Sequence, residues 1–226
     1  MIQQELRIVR DAFWSPTQAV QTAAAAKHLW GVQALVLAML ALSTALASRF
    51  MFDVATNTLP RLNRDASAAS LASVMTIGGY FSLAFAVIMQ VAFWHITAAT
   101  LQVLNILMNS TELNYRKYLS LAVVGSIYSN LAPFHYLVVW YARGVESFSS
   151  VRETAVPIGL NLLPIEMSPS ISSLLGSFNV YQACSVAYVA YGFATLTGLR
   201  KTLSFVILGG FWVLWQCIVA ALGLAG

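Results

Sequence analysis

From Ala66 to Thr111 the chain runs 46 residues without an Asp, Glu, Lys or Arg. At about 1.5 Å rise per residue, a helix of that length would be roughly 70 Å long. The hydrocarbon core of a bilayer is only about 30 Å thick and takes ~20 residues. The stretch is therefore either one helix that projects beyond the membrane or two short spans folded back. A tight reversal in lipid would leave backbone polar groups unpaired, and no Pro, Asn-Gly or Asp-Gly breaks residues 80–104. The expectation is one long helix over Leu71–Met108, bent near His95–Thr100.

The rest of the chain agrees with a membrane setting. Hydrophobic residues make up 59 % of the 226 residues and charged residues 9 %, against about 25 % charged in soluble domains. Apolar runs are continuous rather than alternating, which argues against a β-barrel. The net charge of +4 is spread between the apolar segments, a pattern that suits a lipid surface and not nucleic acid. The predicted fold class is all-α, a polytopic membrane helical bundle with five transmembrane helices. The spans fall at about 30–47, 71–108, 118–141, 180–199 and 203–224, and they form one domain over 30–226. Residues 1–29 are a cytoplasmic-side amphipathic segment.

In that segment Ile2, Leu6, Val9 and Phe13 recur on one helical face. With Trp14 following, the face reads as lying in the headgroup region, with packing on other protein as the alternative. Ser15-Pro16 reads as the cap and first residue of a second helix, Thr17–His28. Trp30 opens the first span as an interfacial aromatic, and Trp140 closes the third. Ala34, Ala38, Ala41, Ala45 and Ser48 form a small-residue stripe that lets another helix approach. Arg49–Asp65 reads as a polar connection, and Pro133 as a kink in the third span whose freed carbonyls Ser126 or Asn130 satisfy. Residues 142–179 are an extramembrane connection. Cys184 and Cys217, lacking ligand spacing, read as small buried apolar residues. Arg200-Lys201-Thr202 makes a tight turn between the last two spans. With five spans, seven of the 12 Lys and Arg lie on the side of the N-terminus, which places that end in the cytoplasm and the C-terminus outside.

No span core contains an ionisable carboxylate or a Lys or Arg, so coupling through a buried charge is disfavoured. Hydrolase elbows, zinc motifs and phosphate loops are absent, so no catalytic residue, metal or cofactor is expected and the chain is not read as an enzyme. What remains is neutral polarity. His95, Gln102, Asn105 and Asn109 share one face of the long helix, and Ser126, Asn130 and Gln216 belong to other spans. Such groups either hydrogen-bond across helices or line a cavity for a lipid headgroup or small polar ligand. His95 could also act as a protonation switch, while His135 lies off the Ser126–Asn130 face, against a joint metal site. Two functional classes follow: a non-enzymatic scaffold organising membrane or partner proteins, or a small channel, scramblase or transporter using the polar faces. Partners expected are the lipid bilayer and other membrane proteins, or further copies of the chain.

Phe93-Trp94-His95-Ile96, Leu107-Met108-Asn109-Ser110, Tyr115-Arg116-Lys117-Tyr118-Leu119 and Asn130-Leu131-Ala132-Pro133 together resemble the centre of Yip-domain proteins. Phe13-Trp14-Ser15-Pro16 resembles that family's entry to the first span. Ser177-Phe178-Asn179-Val180-Tyr181-Gln182 with Gly198-Leu199-Arg200-Lys201-Thr202 resembles its closing hairpin, where Phe-Asp-x-Trp and Lys-Ala are more usual. The resemblance covers nearly the whole chain through soft motifs. It implies five membrane-spanning helices, a cytoplasmic N-terminus and an extracytoplasmic C-terminus. Eukaryotic members are associated with Rab-type GTPases and have longer N-terminal regions; the 29 residues here speak against a Rab partner. The compact form is similar to bacterial members, which implies the cell inner membrane.

Overall fold

The computed structural model describes residues 2–62, 68–108, 113–149, 159–160 and 169–221. Their regular elements are helices: α1 (Ile2–Trp14), α2 (Pro16–Ala25), α3 (Trp30–Leu62), α4 (Ala68–Leu107), α5 (Tyr115–Ser129), α6 (Ala132–Arg143), α7 (Pro169–Ser177), α8 (Val180–Thr197) and α9 (Lys201–Ala221). Four stretches are long and apolar enough to cross a membrane: Trp30–Asn57, Gly78–Leu107, Tyr115–Arg143 and Lys201–Val219. The regular structure of the described residues is thus all-helical, with the character of a multi-pass membrane protein. It divides into two compact units, one of Met1–Val36, Ala92–Ser129 and Pro157–Gly226, the other of Leu37–Val91 and Asn130–Val156.

In the first unit α2 packs against α1, α5 and α8. Pro16 occupies the first turn of α2 behind Ser15, where its missing N–H has no helical partner to lose. α1 is docked by a face other than the apolar one. Glu5, Ile8, Asp11 and Ala12 are buried, whereas Leu6 is 60 % and Trp14 81 % exposed. Phe13, itself half exposed, sets its ring edge-on to Tyr128 with centroids 5.1 Å apart. One side of α1 therefore packs on protein, and the apolar side named from the sequence stays open at Leu6, Phe13 and Trp14.

Side-chain bonds fix this docking. The Tyr128 hydroxyl donates to the Ala12 carbonyl, and the hydroxyls of Thr17 and Tyr191 share a hydrogen bond. The Arg116 guanidinium donates to the Ala26 carbonyl, the C-cap of α2, where the negative end of the helix dipole favours a cation. Asp11 accepts from Arg10 at 2.7 and 2.9 Å and from Arg7 at 3.3 Å. Arg10 first, and Arg7 with it, hold the Asp11 carboxyl below its ordinary range against the opposing effect of burial. The pairs are therefore intact at neutral pH and released only on strong acidification. Glu5 turns its carboxylate onto Gly31 in the first turn of α3, and a Cβ at that position would collide with it.

α5 and α8 pack closely against each other. A Cβ on Gly125 would lie 2.6 Å from Val189 Cγ2, and one on Gly192 would overlap Leu121 Cδ2; small residues are what permit such an approach. Asn179 caps α8 by accepting from the Gln182 N–H at 3.0 Å. Gly198 ends that helix in the left-handed region at φ 75°, which an L side chain adopts only with strain. α9 follows at once and packs back on α8, with the Ser204 hydroxyl donating to the Ala190 carbonyl at 2.6 Å.

The second unit is built on an aromatic core of Phe50, Val54, Leu137, Trp140 and Phe148. Phe50 stacks on Trp140 with centroids 5.5 Å apart, and the Arg143 guanidinium lies 4.4 Å from the Phe148 ring centre, a cation–π arrangement.

Several expectations need correction. The first span does not end in a polar connection at Arg49, because α3 continues to Leu62 and its apolar stretch takes in Arg49 and Asp53. Charge marks where lipid contact ends, not where a helix ends. The alanine stripe is not a packing face along its length, since Ala34, Ala38 and Ala45 are exposed. Trp140 faces the aromatic core and not open surface. At Pro133 the third span is interrupted and not merely bent: α5 stops at Ser129 and the proline sits in the first turn of α6. Cys184 and Cys217 are both exposed. Of the 142–179 connection, α7 is seen, while residues 150–158 and 161–168 lie outside the described residues.

Candidate functional site

The polar positions of α4 sort themselves by rotation about the helix. Trp94, Ala98, Leu101 and Asn105 are buried at i, i+4, i+7 and i+11. His95 and Gln102 stand one residue further round, about 100° away, so His95 is exposed and Gln102 half-buried. The predicted face thus contributes Asn105 to the interior and leaves His95 outside it. Asn109 lies outside the described residues.

Trp94 and Asn105 each meet a side chain of α5. Trp94 Nε1 donates to Ser126 Oγ of α5 at 2.9 Å, and that hydroxyl donates to the Val123 carbonyl at 2.7 Å. Ser126 thus satisfies a carbonyl as expected, but one in its own preceding turn and not the one freed by Pro133. Asn105 faces the hydroxyl of buried Tyr118. In the second unit, Asn130 Nδ2 donates to Gln90 Oε1 at 3.2 Å. His95, although exposed, is held by Tyr115, with Nδ1 2.9 Å from the Tyr115 hydroxyl and rings near-parallel at 6.1 Å. Gln216 is half-buried on α9. These residues bridge helices more than they surround a void. Sequence reasoning missed Trp94 as the polar partner, because a tryptophan in an apolar run reads as bulk although its indole N–H needs an acceptor when buried.

The open space lies instead beside α3, in the second unit. A cleft of about 270 Å³ is bordered by Thr44, Ala45, Ser48, Arg49 and Phe52 of α3 and by Gly79, Tyr80 and Leu83 of α4. The two helices come close where Ser48 meets Gly79, whose Cβ position is 3.6 Å from Ser48 Oγ. A second, more open groove is lined by Ser43, Thr44, Ala47 and Ser48 with Gly78, Gly79, Ser82 and Pro133. Small residues on both helices leave this space, so part of the alanine–serine stripe serves as a cleft wall. Comparison with family models, curated proteins and solved structures returns no match.

Proposed function

We propose that the chain is a non-enzymatic scaffold of the Yip-like type. On this reading it spans the cell inner membrane five times, with the N-terminus in the cytoplasm and the C-terminus outside. What carries this reading is the use made of span polarity. Trp94 is spent on Ser126 and Asn130 on Gln90, bonds of the kind that tie helices together in lipid. A fifth crossing at α8 adds to the four apolar stretches. α8 has 18 residues, carries no charged residue and is joined to α9 through Gly198. The open Leu6–Phe13–Trp14 side of α1 suits the headgroup layer, leaving the docked N-terminal helices available to other membrane proteins or to further copies of the chain.

Vesicle reconstitution tests the scaffold. Dye and labelled-lipid flux should match protein-free vesicles. Flux that disappears in Asn105→Leu or Asn130→Leu would replace the scaffold by a channel, scramblase or transporter. The crossing number has its own test, since alkaline phosphatase fused after Gly226 should be active. An inactive fusion with an active cytoplasmic reporter at the same site would give an even number of crossings.

A further inference from the structure

The geometry points to a phospholipid-binding site in the α3–α4 cleft, where Arg49 takes the phosphate of an anionic lipid. From Trp30 to Arg49, α3 supplies the ~20 residues that a hydrocarbon core requires, and Trp30 is 68 % exposed as an interfacial aromatic would be. Arg49 therefore stands at the level of the opposite interface. Its side chain is exposed, and among the described residues its guanidinium forms no ion pair, not even with Asp53 one turn on. A guanidinium so placed is free, among the described residues, to take an anion of the headgroup layer.

The surroundings select a lipid over a soluble anion. Ser48 and Tyr80 bring hydroxyls to the same cleft as Arg49, while Ala45 and Leu83 line it on the side towards the span centres. With Thr44 deeper and Phe52 further out, the lining mixes polar and apolar side chains, as a phosphate and the start of its acyl chains require. The cleft, at about 270 Å³, falls just short of the roughly 300–1,000 Å³ usual for small ligands and suits a headgroup rather than a whole lipid. Arg presents a planar fork that binds phosphate through two parallel hydrogen bonds. The inference rests on α3 and α4 crossing the bilayer and is independent of the scaffold role, so vesicle flux neither supports nor removes it.

Native mass spectrometry of the full chain in detergent, titrated with phosphatidylglycerol, provides the test. The chain should retain one phosphatidylglycerol in preference to phosphatidylcholine. Arg49→Gln should weaken retention about tenfold, the value of one charged hydrogen-bonded contact. Ser48→Leu, which fills the cleft without altering charge, should do the same, and Arg200→Gln, which removes an equal charge from an exposed turn, should not. Circular dichroism establishes that each variant is folded. Equal retention by Arg49→Gln and the parent chain, or equal loss in Arg200→Gln, overturns the site. Displacement by millimolar inorganic phosphate assigns it to a free anion instead. A dimer that binds no lipid and is unaffected by Arg49→Gln makes the cleft a contact between copies, and also overturns the proposal.

Discussion

Gly192→Val should unseat α8 from α5 and lower the thermal midpoint of the detergent-solubilised chain by roughly 2–12 °C. The cause is geometric. A Cβ at position 192 overlaps Leu121 Cδ2 and comes within 3.1 Å of Val20 Cγ2. Leu121 is fully buried, so turning it away from position 192 displaces its own neighbours. Overpacking of this kind costs about 1–3 kcal/mol, and a chain of this size loses about 2–4 °C per kcal/mol. Because Val20 belongs to α2, the same substitution should also loosen the N-terminal helices, giving faster proteolysis within residues 1–29. Gly209→Ala is the matched control. Nothing lies within 4 Å of its Cβ position, and removing a helix-interior glycine should be neutral or slightly stabilising. Equal midpoints for the two variants would mean that α5 and α8 do not meet through Gly192.

Trp94→Ala should be the most damaging single substitution on α4. The side chain is 2 % exposed, and deleting a buried tryptophan costs about 3–5 kcal/mol. The indole N–H to Ser126 contributes separately. Trp94→Phe keeps most of the ring and should cost about 1 kcal/mol from the hydrogen bond. In a cycle with Ser126→Ala, the two losses should be less than additive. Circular dichroism against denaturing detergent reads all four proteins. A fully additive cycle would remove Ser126 as the indole's acceptor.

The long helix was legible because its signal is long. A charge-free run with no breaker predicts Leu71–Met108, and α4 covers Ala68–Leu107. Which side of it faces inward was not. In water, polarity separates outside from inside, but lipid is as apolar as a protein core. The His95–Gln102 side and the Trp94–Ala98–Leu101–Asn105 side therefore look alike until their neighbours are known. The same limit applies to α1. The strongest apolar face, Leu6–Val9–Phe13, is a good reading for a surface helix in water. The face used for docking instead carries Glu5 and Asp11, each accommodated by local geometry: Gly31 for the first, Arg7 and Arg10 for the second. Arg49–Asp65 reads as a polar connection because it is charged, although a helix leaving the membrane can continue wherever its side chains find water. The cleft at Ser48 and Gly79 depends on where two helices approach, and spacing along one chain does not carry that information.

The docking of the N-terminal helices also imposes an order of events during synthesis. Ala12 is held by Tyr128 and Thr17 by Tyr191, pairs separated by 116 and 174 positions. α1 and α2 therefore wait for α5 and then for α8 before their seat is complete, and closing contacts so distant in sequence is slow. During that interval the open Leu6–Phe13–Trp14 side offers a temporary berth on the bilayer surface. A nascent chain halted before residue 115 should keep α1 and α2 bound to lipid and open to protease, and extension through α8 should protect them.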